Sequence, residues 1–135
     1  MPGPNFVLDK GFTATGSTAY AFGECIVQGS TNTSCARATS AASLLLGICQ
    51  ETLDATKLAT GMATINIRLL GISRVIAGGA IARGARVKND ANAHAVSASQ
   101  TAGGSQPVNV FGIALSPASA SGDFIDVLLT PGATY

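Results

Sequence analysis

The apolar residues of this 135-residue chain alternate with polar ones over short stretches, and a period of two predicts strands rather than helices. Met62 to Leu70 shows it most clearly. Ile65, Ile67 and Leu69 fall on one face, Asn66 and Arg68 on the other. Phe124 to Leu129 repeats the pattern. Leu44 to Cys49 and Val108 to Leu115 are instead continuous apolar runs bounded by turn residues, the signature of buried strands. Tyr20 to Gln28, Thr33 to Thr39, Ser73 to Ala77, Ala80 to Lys88 and Ala93 to Ser99 read as further strands. Between them lie the turns Gly29-Ser30-Thr31-Asn32, Gly78-Gly79 and Asn89-Asp90-Ala91-Asn92. Gln50 to Gly61 is the one helical candidate. Thr52, Thr56 and Thr60 weaken it, so it is expected to be a loop with a single helical turn at most.

These elements come in the same order twice. Leu45-Leu46-Gly47-Ile48 answers to Val110-Phe111-Gly112-Ile113, and Ala21-Phe22-Gly23-Glu24 to Ala82-Arg83-Gly84-Ala85. Gly23, Gly47 and Gly71 recur as Gly84, Gly112 and Gly132. The body therefore divides into repeats of about 20–71 and 76–132. Each runs strand, turn, strand, buried Gly-Ile strand, loop, alternating strand. The expected fold is all-β: a compact β-barrel or sandwich built from a duplicated strand unit, whose copies can close on each other and remove exposed edges.

Residues 20–135 form a single β-domain in this reading, and residues 1–19 an extended N-terminal arm. Pro2 and Pro4 have no N–H, and Gly3, Gly11 and Gly16 loosen the chain. Phe6-Val7-Leu8 is an apolar island within it. The arm either tucks Phe6 onto the domain or adds to a partner's sheet edge.

Composition narrows the function. The chain is 47% hydrophobic but only 11% charged, with no Trp and 16 Gly. Charged residues make up about a quarter of a typical soluble domain. A surface covered by Ala, Ser, Thr, Gly and Asn suits a protein packed against copies of itself or a partner. The net charge of +1 provides no basic field for nucleic acid. Arg68, Arg74, Arg83, Arg86 and Lys88 do lie in one stretch without an acid before Asp90. That run is either a solvated face or a docking patch for an acidic protein surface. It contains no aromatic residue, which argues against nucleic-acid binding. The N-terminus lacks a signal-peptide pattern, and no apolar stretch approaches the roughly 20 residues of a membrane span. The expectation is a protein made and kept in a cytosol, or released by lysis.

Reactive chemistry is thin. Cys25, Cys35 and Cys49 are odd in number without metal-ligand spacing, and His94 is alone. Packed, reduced thiols are expected, although Cys25 and Cys35 could face each other across a hairpin. Glu51 and Asp54 are the one tight acidic pair and are expected to face solvent. No catalytic constellation, cofactor motif or metal set emerges, so the chain does not read as an enzyme. An alternative, a small-molecule or glycan-binding β module, would want aromatics at loop tips, and the chain has only Tyr20 and Tyr135 beside its five Phe.

The repeating phrases resemble those of the bacteriophage capsid cement, or head decoration, proteins. Leu46-Gly47-Ile48 with its small-residue loop and Ile65-Asn66-Ile67 is one such phrase. Val75 to Val87, with Gly78-Gly79 and Gly84 inside it, is the second. Phe111 to Leu115 followed by Ile125 to Leu129 is the third. The resemblance covers residues 20 to 132. It implies a β protein on the outer surface of an expanded head, made in the host bacterial cytoplasm, bound as a trimer or similar cluster and bridging major capsid protein subunits. Such a protein needs no cofactor and no direct contact with nucleic acid or membrane. Its candidate capsid contacts are Phe6, Val7 and Leu8 in the arm, and Arg68, Arg74, Arg83, Arg86 and Lys88 in the basic run.

Overall fold

The structure, a computed structural model, describes residues 6–41, 44–99 and 109–134, with the backbone alone for Phe6 and residues 131–134. Residues 1–5, the start of the expected arm, and the loop Thr101 to Pro107 lie outside the described residues. The strands are β1 Phe6–Ala14, β2 Cys25–Gln28, β3 Ser34–Arg37, β4 Leu45–Cys49, β5 Thr64–Ile76, β6 Arg86–Asn89, β7 Ala95–Ser97, β8 Asn109–Ala114 and β9 Phe124–Thr134. One short helix, α1 Ala55–Leu58, sits in the loop where a single turn was expected. Asp54 caps it by accepting from the Lys57 N–H at 2.7 Å, and Leu58 anchors it in the core.

The order β1-β3-β2-β4-β5, with β1 also paired to β5, closes a five-stranded barrel. Strand β5 then continues into a second set, β5-β9-β8-β6-β7, where the parallel bridge Ala77–Ala95 brings β7 back beside β5. The fold is thus the expected all-β barrel from a duplicated unit. Each copy has its own core. One gathers Phe12, Tyr20, Ile26, Cys35, Ile65 and Ile67; the other gathers Val75, Val87, Phe111, Ile125 and Val127.

The duplication is legible bond by bond. Gly23 and Gly84 both have left-handed backbone, at φ +88° and +83°. Their N–H groups donate to the carbonyls of Cys49 and Ala114 at 2.9 and 2.7 Å. Cys25 stands opposite Ile48 as Arg86 stands opposite Ile113. Gly47 and Gly112 are the close approaches between strands. A Cβ at Gly47 would lie 2.3 Å from the Arg68 carbonyl oxygen, and one at Gly112 only 2.6 Å from that of Leu128. Only glycine lets these backbones pass.

Three sequence expectations change. From Phe6 onward the arm is not a free segment: β1 is a strand of the closed barrel, antiparallel to β5 from Asp9–Arg68 to Thr13–Thr64, and Phe12 and Ala14 are buried. It is also the missing first strand of the first copy. Phe12 pairs with Ile65 as Val75 pairs with Ile125, and the parallel pair Ala14–Cys35 matches Ala77–Ala95. Next, Met62 to Leu70 and Ser73 to Ala77 are not two strands. They merge into the 13-residue β5, because Gly71 at φ +108° bends the backbone without ending the strand. Finally, β9 does not stop at Pro131-Gly132. Those residues fall in the register break between the pairs Val110–Ala133 and Gly112–Leu129, and bulges are where strands accommodate proline.

The two copies are locked along the β2 corner. The Ile76 N–H donates to the Gly23 carbonyl at 3.0 Å, and the Cys25 N–H to that of Ala93 at 2.7 Å. Asn89 Nδ2 reaches the Ser40 carbonyl at 2.7 Å. The Phe22 and Phe124 rings meet at 6.1 Å, within the range of tilted aromatic pairs. Cys25 and Ile48, from the first copy, are fully buried in the core of the second.

Candidate functional site

The acids that might have served chemistry are engaged by the fold. Glu24 is buried, accepts from the Ala21 N–H at 2.6 Å and forms a salt bridge with Arg37, whose Nε lies 3.0 Å from Glu24 Oε2. Hydrogen bonding to Glu24 holds the Arg37 guanidinium above its ordinary range. Glu51 accepts from the Asn66 N–H, Asp54 caps α1, and Asp90 accepts from the N–H groups of Asn92 and His94. Asp123 accepts from the N–H and hydroxyl of Ser119 and the N–H of Ala120, which together hold its carboxyl below the usual range. Asp54, Asp90 and Asp123 cap or close local turns, while Glu24 and Glu51 bond to the neighbouring strands β3 and β5. Glu51 and Asp54 are both exposed, so the pair faces solvent as expected.

The thiols are packed as expected. Cys25, Cys35 and Cys49 are free and buried. Burial pushes Cys35 and Cys49 up to about 11 and raises Cys25 as well. Burial likewise pushes the Tyr20 phenol up to about 12, and its hydroxyl donates to the Thr15 carbonyl at 2.6 Å. Among the described residues no group of three His, Cys, Asp or Glu is placed to hold a metal ion. A depression of about 240 Å³ lined by Thr15, Gly16, Ser17, Thr18, Ala36, Arg37 and Thr39 has no aromatic wall, and its one charge already pairs with Glu24.

What remains is surface. At the start of β1 the side chains of Val7 and Leu8 are exposed, and Leu8 pairs with exposed Leu70 of β5. Phe6 pairs through its backbone with Gly71. The basic run is not one patch. Arg68 is half-buried against Asp9, and its Nη1 donates to the Ile72 carbonyl at 2.9 Å. Arg74 lies exposed on β5, its guanidinium 6.0 Å from the Phe124 ring centre and opposite Asp126. Arg83, Arg86 and Lys88 lie on the β6 corner, separated from β5 by the two strands β9 and β8.

The sequence reading missed the outer face of the second sheet. In register, Ile72 of β5 pairs with Leu128 of β9, Leu128 with Ile113 of β8, and Ile113 with Arg86 of β6. Leu115, Phe124 and Leu128 are exposed large apolar residues on or beside that row. The alternation of Phe124, Asp126 and Leu128 marks them in the sequence as a face opposite the core. Nothing there says that this face is not covered by another strand set.

Among the described residues the second sheet thus leaves an outer face on which Leu115, Phe124 and Leu128 are exposed beside Arg74, Asp126 and the basic β6 corner. The phage cement protein family matches residues 9–129, and the chain belongs to it. A comparison with curated protein sequences finds no match. Among solved structures the fold is similar to the head fiber gp8.5 N base in bacteriophage phi29, with a TM-score of 0.66 and 16% identity over 91% of this chain and 95% of that one. At that identity the likeness speaks to fold alone.

Proposed function

We propose that this protein decorates the outer surface of a phage head, where it binds major capsid protein subunits and stabilises the contacts between them. It works as a homotrimer on the virion and is made in the host bacterial cytoplasm. Membership of the cement family carries this reading. The exposed apolar outer face of the second sheet, beside the basic β6 corner, supports it as an interaction surface. No reaction is part of the role. Many modest contacts repeated across a shell give tight retention by avidity. Candidate contacts are Phe6 with the exposed Val7 and Leu8 at the start of β1, and the basic residues Arg68, Arg74, Arg83, Arg86 and Lys88.

The test is co-sedimentation of the purified protein with expanded and with unexpanded empty heads of its phage. Saturable binding to expanded heads alone is the expected result. Absence of binding to either form would overturn the proposal. The β1 contact is tested by V7S/L8S rather than by deletion, since these side chains are exposed while β1 itself completes the barrel.

A further inference from the structure

The duplication gives every surface of the second copy a counterpart in the first, and one of these pairs differs sharply in its surroundings. In the first copy the outer side of the β2 corner is covered. Phe22 meets Phe124, Cys25 is wholly buried in the other copy's core, and Val27 packs against that core. Ile48, across from Cys25, is wholly buried there too. In the second copy the same positions, set by the matching registers, are Arg83, Arg86, Lys88 and Ile113. Arg83 and Arg86 are exposed, while Lys88 and Ile113 are half-buried. The apolar row continues from Ile113 to Leu128, with Leu115 beside it.

We infer that this β6 corner, with the apolar row beside it, is the surface that docks on the head, and that its partner is an acidic patch of the capsid protein with an apolar centre. The inference rests on the decoration role proposed above. Two observations carry it. The corresponding face of the first copy is a protein interface within this chain, so this side of the unit has the shape and open sheet surface to receive another protein. Its three apolar interface positions, Phe22, Cys25 and Val27, are replaced here by three basic residues, while Ile113 stays apolar as Ile48 is, and Leu115 and Leu128 are apolar where the first copy has Gln50 and Arg68. A face that met only water would have no use for that apolar row. The residues that cover the first copy's corner come from the second copy, and Ile76, Ala93 and Phe124 among them are apolar, matched to Phe22, Cys25 and Val27 rather than to a basic edge. Charge complementarity selects an acidic partner, and the apolar centre provides the desolvated area.

The experiment compares the full-length protein with R83E/R86E, R83Q/R86Q and the control K57E, which reverses an exposed charge on α1. Circular dichroism and sedimentation first establish fold and oligomeric state, and expanded heads are then titrated at two salt concentrations. The expected result is that R83E/R86E binds at least about tenfold more weakly and R83Q/R86Q by an intermediate factor. K57E should match the parent, and the salt dependence of the parent should flatten in both double variants. Folded R83E/R86E or R83Q/R86Q that saturates heads at the parental affinity would overturn the inference and leave the decoration role standing. Loss of self-association in the double variants, with head affinity per protomer unchanged, would also overturn it by making this a face between copies. A parent that binds no heads defeats the role and this inference together.

Discussion

Arg68 Nε lies 2.9 Å from Asp9 Oδ1, joining β5 to β1 on the outer face of the closed barrel, and the two residues are direct partners in the strand register. The equivalent pair in the second copy is Leu128 and Ile72. The same geometric position thus holds an ion pair in one copy and an apolar contact in the other. The ion pair is half-buried, with both side chains 18% exposed. Arg68 also donates to the Ile72 carbonyl, tying the pair to the start of the second sheet.

Removing one partner should therefore loosen β1 more than a surface pair would. D9A is expected to lower stability by about 2 kcal/mol, against the 0–1 kcal/mol typical of exposed pairs. Urea denaturation measures this. A double-mutant cycle with R68A should give clear non-additivity, and strictly additive effects would show that the pair does not couple the strands.

The two close approaches at glycine give a matched set of substitutions. A Cβ at Gly47 meets the Arg68 carbonyl oxygen at 2.3 Å, and one at Gly112 meets Val127 Cγ1 at 2.4 Å as well as the Leu128 oxygen. G47A and G112A should each cost about 1–3 kcal/mol or more, because backbone must move to admit the methyl group. Gly79 has nothing within 4 Å of its would-be Cβ, so G79A is expected within about 0.5 kcal/mol of the parent. Thermal unfolding midpoints of the three variants test this order.

Stability should fail at alkaline pH in two overlapping steps. The Cys35 and Cys49 thiols rise from an ordinary 9.0 to about 11. The Tyr20 phenol rises from 10.0 to about 12. All are neutral when protonated, and folding holds their protons more tightly than the unfolded chain does. Their contribution is thus fully present below pH 9, and it is lost as pH climbs from there through 12. Denaturation midpoints measured between pH 7 and pH 12 should be flat at first and then fall. C35A/C49A should remove the earlier part of the fall. Ellman's reagent should leave the native thiols unreacted at pH 8 and titrate them only after unfolding.

Deleting residues 2–12 should unfold the closed barrel rather than release a tail. It removes buried Phe12 and most of the β1–β5 ladder, and it leaves the β5 edge unpaired. Loss of the cooperative thermal transition is the expected result. A truncated chain that melts cooperatively near the parental temperature would mean that β1 is dispensable.

The sequence by itself determined the β class and the duplication. Period-two alternation at Ile65 to Leu69 and the paired Gly-Ile phrases are local signals, and the glycines are required wherever backbones touch. It also marked the loop around α1 as nearly helix-free, because its threonines disfavour a longer helix. Three things were decided only by tertiary structure. Phe12 and Ala14 alternate too briefly among glycines to declare a strand, and they become one because β5 offers a ladder and the barrel needs closing. The basic run is contiguous in sequence, but strand order spreads it over separate strands and binds Arg68 to Asp9. The outer face of the second sheet looks like any half-buried strand face in sequence, since alternation names the two faces of a strand without saying which will be covered. Which face stays open depends on how one copy docks on the other, and that is set by contacts such as Cys25 with Ala93 and Phe22 with Phe124, far apart in the chain.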